Sequence, residues 1–307
     1  MVLDHRLSPQ HPFPTALIDA LVAYLSLLHP TSDCFHEASR PEDVVLVGDS
    51  AGANLSLSLL LLIRNIRTRY GGRVQFHGED VEVPFPAGFA SIGCQMDLTI
   101  SLYASSPPED FALTSGSPFT EDNKKFDFLL PTPPCLSDKF PSCPFWPSKP
   151  ARGDIYCETS LLCHPLVSPV AAESFSSLPP MFFAYGEEYL GNEGRFVAKK
   201  AVEEGVIVEF HHYQRLSHVF PLMYPKLPQS EHCLKSVAGF CSACVNNPHS
   251  LRVRSVTYPA EGDLIRPVEG SLSAGVIGME HSIVLKRMNE ARSRRGVWTG
   301  PARSFRL

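Results

Sequence analysis

Apolar positions recur at helical spacing over residues 14 to 28, PTALIDALVAYLSLL. Pro14 suits a first helical turn and Pro30 falls just past the end, so this stretch is predicted to be a helix. The pattern then changes period. Residues 43 to 48 carry VVLV without polar alternation, as expected of a parallel strand covered on both faces. A Leu-rich helix is predicted over 51 to 69, ending in a basic turn before Gly71 and Gly72. Further strands are expected at 86 to 94, 181 to 186 and 206 to 213, with helices at about 193 to 204 and 230 to 243. This alternation of strand and helix predicts an α/β fold on a mostly parallel sheet.

Two regions break the pattern. Residues 105 to 150 are rich in Pro and Ser and read as an insertion or lid over a site. Beyond residue 245 the periodicity dissolves. Residues 246 to 307, with Arg252, Arg254, Lys286, Arg287, Arg292, Arg294 and Arg295, are expected to be a disordered tail. A solvated tail is preferred over one touching a membrane surface. The expected domain therefore spans residues 1 to 245.

Composition narrows the function classes. The 307 residues carry a net charge of −5 and are 44% apolar, which gives no reason to expect nucleic acid. The nine cysteines are scattered and read as reduced thiols of a cytosolic-type compartment. Cys241 and Cys244 form a lone C-x-x-C, and helix-buried thiols are preferred over a metal site. No run reaches the roughly 18 apolar residues of a membrane span.

The chemistry concentrates at VVLVGDSAGANL, residues 44 to 55. Gly48, Asp49, Ser50, Ala51 and Gly52 form G-x-S-x-G between a predicted strand and a predicted helix. A nucleophile on such a turn has a strained backbone, with its hydroxyl exposed above the sheet. Crowding at the turn is expected to require glycine at both Gly48 and Gly52. The helix N-terminus behind Ser50 favours an oxyanion, and the Ala51 N–H would donate to it. A serine needs a base, and the base needs an orienting acid. Both should come from later loops, acid first. AYGEEYLGNEG offers Glu187, Glu188 and Glu193, and HHYQRLSHVFP offers His211, His212 and His218. His211 and His212 fall within a strand pattern, whereas His218 follows it.

Taken together, DHRLSPQHPFPTALIDALVAYLSLL, VVLVGDSAGANL, CQMDLT, HPLVSP, LPP and SHVFP resemble the hormone-sensitive-lipase-like branch of the α/β hydrolases (fold-3). The chain most resembles the steryl acetyl hydrolases and carboxylesterases of that branch. The resemblance implies an α/β-hydrolase fold and cleavage of carboxylic esters by Ser50, His218 and Glu188, with no metal or cofactor. The implied substrate is a small-molecule ester, such as an acetylated sterol or another bulky alcohol. Phe119, Phe126, Phe128, Leu129, Leu130 and Trp146 are candidates to line its pocket. Asn192, Asp97 and His164 match non-catalytic landmarks.

Esterases of that branch also carry an HGGG-type loop, which supplies the second oxyanion donor, and a strand before it. No H-G-G or G-G-G occurs in these residues. The expectation is an N-terminally truncated form with one edge of residues 44 to 47 uncovered, whose full-length version carries any membrane anchor upstream. Two alternatives accompany the hydrolase reading: a non-catalytic ligand-binding homologue, as in the gibberellin receptors, and an inactive fragment.

Overall fold

The computed structural model describes residues 1–102, 144–259, 268–270, 272 and 279–296. Helix α1 (Thr15–Leu28) follows a non-helical start. Strand β1 (Val45–Asp49) runs straight into α2 (Ser50–Arg69). Then come β2 (Arg73–Phe76), β3 (Glu79–Glu82) and β4 (Gly88–Ile92). After residue 144 follow β5 (Met181–Tyr185), α3 (Gly191–Glu203), β6 (Val208–Tyr213), the short α4 (Phe220–Met223) and α5 (Pro228–Asn246). The described chain closes with β7 (Arg254–Tyr258), β8 (Val268–Gly270) and α6 (His281–Arg294).

One sheet of six described strands has the order β1-β4-β5-β6-β7-β8, parallel except for β8. The registers Asp49 opposite Ile92 and Tyr185 opposite His212 bring the carboxyl ends of the central strands to one rim. In open α/β sheets that rim is where reacting groups gather.

The apolar pattern explains the layers. Helix α2 presents apolar residues on two sides, because it lies between two partners. Leu57, Leu60 and Leu61 join the core built on β4, β5 and β6. Leu55, Leu59, Ile63 and Ile66 join Leu17, Tyr24 and Leu25 of α1. Helix α5 covers the other face through Cys233, Val237, Phe240 and Cys244. All residues of β4 and β5 are buried, as expected of strands covered on both faces.

Strand β1 differs from its sequence pattern. It was expected to be covered on both faces, yet Val47 is 53% exposed. Among the described residues β1 pairs only with β4, so it forms an edge of the sheet. Residues 1 to 7 form no strand. Met1, Val2, Leu3 and His5 instead make the far wall of a groove of about 570 Å³ that runs along β1 to Gly52.

The expected tail after residue 245 is the larger correction. Its described residues include β7, which extends the sheet beside β6, and α6, which buries Val284 and Met288 completely. Arg295 Nη2 donates to the Leu98 carbonyl at 2.8 Å. This order was hard to read because α6 buries only two of its residues, so its apolar stripe is thin. The β2–β3 hairpin was also not anticipated. Its turn residues His77 and Gly78 both have positive φ, the primed-turn geometry that closes a two-residue hairpin. The insertion read over 105 to 150 lies largely outside the described residues, as do Phe119, Phe126, Phe128, Leu129 and Leu130. Trp146 is described and fully buried, with the Arg152 guanidinium 5.6 Å from its ring.

Candidate active site

The strand-to-helix turn puts Ser50 at φ +47°, a left-handed conformation that non-glycine residues seldom adopt. Gly48 makes the turn possible, since a Cβ there would lie 2.6 Å from Ala53 N. Gly52 carries no such constraint. A Cβ there would meet nothing within 4 Å, because Gly52 faces the groove beside β1. The expected need for glycine at both positions therefore holds only at Gly48. Asp49 is exposed and also lines the groove. Ser50, Ala51 and Gly52 open α2, whose first N–H groups have no partner within the helix.

His218 lies in the loop after β6 and is brought back over the elbow. Its Nε2 is 2.9 Å from Ser50 Oγ, and its Nδ1 is 2.9 Å from Glu188 Oε2. A neutral imidazole fits this line when Nδ1–H donates to the carboxylate and Nε2 accepts from the serine hydroxyl. Glu188 is fully buried and His218 nearly so.

The other acid and histidine candidates have separate places. Glu187 Oε2 accepts from the Arg215 N–H at 2.8 Å, and its own N–H donates to the Leu216 carbonyl at 2.6 Å. It thus braces the loop that carries His218. Gly186 lets that loop approach, since a Cβ there would fall 2.1 Å from the Leu216 oxygen. Glu193 Oε2 accepts from the Met96 N–H at 2.7 Å, and complete burial raises its pKa well above the ordinary range. His211 and His212 are buried on opposite faces of β6. Burial pushes His211 down to about 3 and His212 well below the usual histidine value.

The landmark residues are structural. Asp97 accepts from the N–H groups of Thr99 at 2.9 Å, Ser101 at 2.8 Å and Leu102 at 3.2 Å, which fixes the chain as it leaves β4. His164 Nδ1 accepts from the Leu166 N–H at 3.2 Å. Asn192 Nδ2 donates to the Leu102 carbonyl at 3.4 Å. Asn54 was not singled out from the sequence. It is buried on α2, and its Nδ2 donates to the carbonyls of Gln95 at 2.7 Å and Val167 at 3.1 Å. An amide inside an otherwise Leu-rich run was the available signal. Cys241 and Cys244 carry free thiols on α5, and burial pushes that of Cys244 up to about 12. Among the described residues no three His, Cys, Asp or Glu side chains converge to hold a metal ion.

A serine on a sharp strand-to-helix turn, a histidine against it and a carboxylate behind the histidine make up the arrangement of serine hydrolases on parallel sheets. The sequence profile of the alpha/beta hydrolase fold matches residues 1–83 and 137–222, more than half of the chain, and the chain belongs to that family. Relatives include an acetyl-hydrolase of Streptomyces hygroscopicus, 27% identical over 241 residues, covering 78% of this chain. The carboxylic ester hydrolase LipN of Mycobacterium tuberculosis is 28% identical over 225 residues, covering 71% of this chain. The chain spans 63% of the first relative's length and 47% of the second's. A solved hormone-sensitive lipase from a metagenome library superposes with a TM-score of 0.54 at 26% identity, over 80% of this chain and 65% of its own.

Proposed function

We propose that this chain cleaves carboxylic esters through an acyl-enzyme formed on Ser50. The observation that carries the reading is the line of two 2.9 Å contacts from Ser50 through His218 to Glu188. Ser50 Oγ attacks the ester carbonyl while His218 Nε2 takes its proton. The Glu188 carboxylate holds the imidazole in the required tautomer and stabilises the imidazolium. The oxyanion develops against the Ala51 N–H at the start of α2. His218 then gives its proton to the departing alcohol. In the second half it takes a proton from water, which releases the carboxylic acid and restores Ser50.

The relative named as an acetyl-hydrolase supports a short acyl group, acetyl above all. The sequence resemblance supports a bulky apolar alcohol, with an acetylated sterol as the representative substrate. A second reading is ligand binding at the same site without turnover.

The test is fluorophosphonate labelling of the purified chain, read by intact mass, beside Ser50→Ala. One adduct lost in Ser50→Ala is expected, together with faster turnover of p-nitrophenyl acetate than of longer esters. A folded chain that forms no adduct would refute the hydrolase reading in favour of binding.

A further inference from the structure

Gly93 directly follows β4, beneath the imidazole of His218. It has φ +59°, and a Cβ on it would fall 2.7 Å from His218 Nδ1 and 2.8 Å from Cε1. The same Cβ would stand 3.2 Å from Glu188 Oε1. We propose that Gly93 is a positioning residue. Its bare backbone is the seat of the His218 ring, and any side chain there would lift the ring off the line joining Ser50 and Glu188. The inference rests on the ester-hydrolase reading and adds to it the residue that sets the depth of the base.

The seat is held firmly, so a clash would be relieved by the ring rather than by the chain beneath it. The Gly93 N–H donates to the Ala184 carbonyl at 2.8 Å. The next carbonyl, that of Cys94, accepts from the Tyr185 hydroxyl at 2.8 Å. Gln95 N–H donates to the Ser50 carbonyl at 3.3 Å, and the Gln95 carbonyl accepts from Asn54 at 2.7 Å. The Met96 N–H is taken by Glu193 at 2.7 Å. Residues 93 to 96 are thus tied to β5, to α3 and to the nucleophile helix at once. The ring itself is tied at both nitrogens, at 2.9 Å on each side. Ordinary carbon contacts begin near 3.4 Å, so an added methyl demands a ring movement of several tenths of an ångström. Both contacts of the imidazole would lengthen together.

The test compares four variants with the full chain. Gly93→Ala is expected to lose about 10²-fold in kcat with KM little changed, because reacting groups are displaced while the substrate surface is kept. Its fluorophosphonate labelling should slow in parallel. Gly205→Ala is the control, since Gly205 also has positive φ (+85°) but open space around its Cβ position. It carries comparable backbone strain and should keep wild-type kcat. His218→Ala and Gly93→Ala/His218→Ala complete a stability cycle read by urea unfolding. Removing the ring should return much of the stability that Gly93→Ala loses, and should restore solubility if Gly93→Ala alone does not fold.

Wild-type kcat in a folded Gly93→Ala would overturn the inference. So would an equal loss of stability with and without the His218 ring, or failure of both Gly93→Ala and the double variant to fold. If the wild-type chain neither labels nor turns over, the hydrolase reading fails by itself. The stability cycle still decides whether Gly93 seats the ring.

Discussion

Glu187 and Glu188 are neighbours in the chain with different partners. Glu188 Oε2 lies 2.9 Å from His218 Nδ1, while Glu187 Oε2 accepts from the Arg215 N–H at 2.8 Å, three residues before that histidine. One carboxylate contacts the His218 imidazole, and the other holds the loop that carries it.

The pair can be separated by mutation. Glu188→Gln keeps the shape but presents the wrong group to Nδ1, and should lower kcat by roughly 10³–10⁴. Glu187→Ala should cost about 1–3 kcal/mol of stability, because it leaves the Arg215 N–H without its acceptor. Its kcat per folded molecule should fall far less. Steady-state kinetics beside urea unfolding distinguish the two, and equal kinetic losses would refute this division of labour.

Asp97 should be a stability residue with no chemical role. It accepts from three backbone N–H groups as the chain leaves β4. Asp97→Ala leaves all three without that acceptor, an expected loss on the order of 3 kcal/mol. The urea midpoint should fall while fluorophosphonate labelling of the folded fraction persists. An unchanged midpoint would contradict the assignment.

His211 should make the fold acid-sensitive. Among the described residues neither ring nitrogen has a hydrogen-bond partner, Glu209 Oε2 stands 3.9 Å away, and the ring packs against Phe182 and Tyr258. Burial, with Arg254 and His232 adding to it, pushes its pKa down to about 3. The unfolded chain takes up the proton near pH 6.5, so the unfolded state binds more protons between those values. Stability is therefore present above about pH 6.5 and lost as pH falls towards 3, by about 2 kcal/mol between pH 6.5 and 5. His211→Phe should flatten the slope of urea midpoint against pH in that window. An unaltered slope would rule His211 out as its source.

The C-terminal helix should contribute to the core. Met288 is completely buried, and Met288→Ala should cost about 2–5 kcal/mol. A thermal or urea midpoint that does not move would mean that α6 does not pack there in solution.

Much of the architecture is legible in local pattern. The helical period of residues 15 to 28 and the strand-to-helix turn at Ser50 need only the sequence, because they depend on near neighbours and on φ. The same holds for β4 and β5, whose residues are apolar apart from Ser91. The elbow, together with the order of a later acid and a later histidine, also pointed to Ser50 and His218. Residue chemistry by itself left three carboxylates and three histidines open, and family resemblance was needed to favour Glu188.

What the tertiary structure decided depends on long-range approach. Which carboxylate meets His218 is fixed by a loop 30 residues away. Asn54 joins segments 41 and 113 residues distant, a link that no local period encodes. The need for glycine at 93 arises only because an imidazole from another strand's loop comes to rest on it. Strand β7 and helix α6 gain their order from β6 and from the core, since their own apolar stripes are too thin to announce it. Sequence determined most of the elements before residue 245 and the sharp turn at Ser50. Packing at one rim of the sheet decided their partners, because hydrogen bonds and van der Waals contacts between distant segments exist only once the chain has closed on itself.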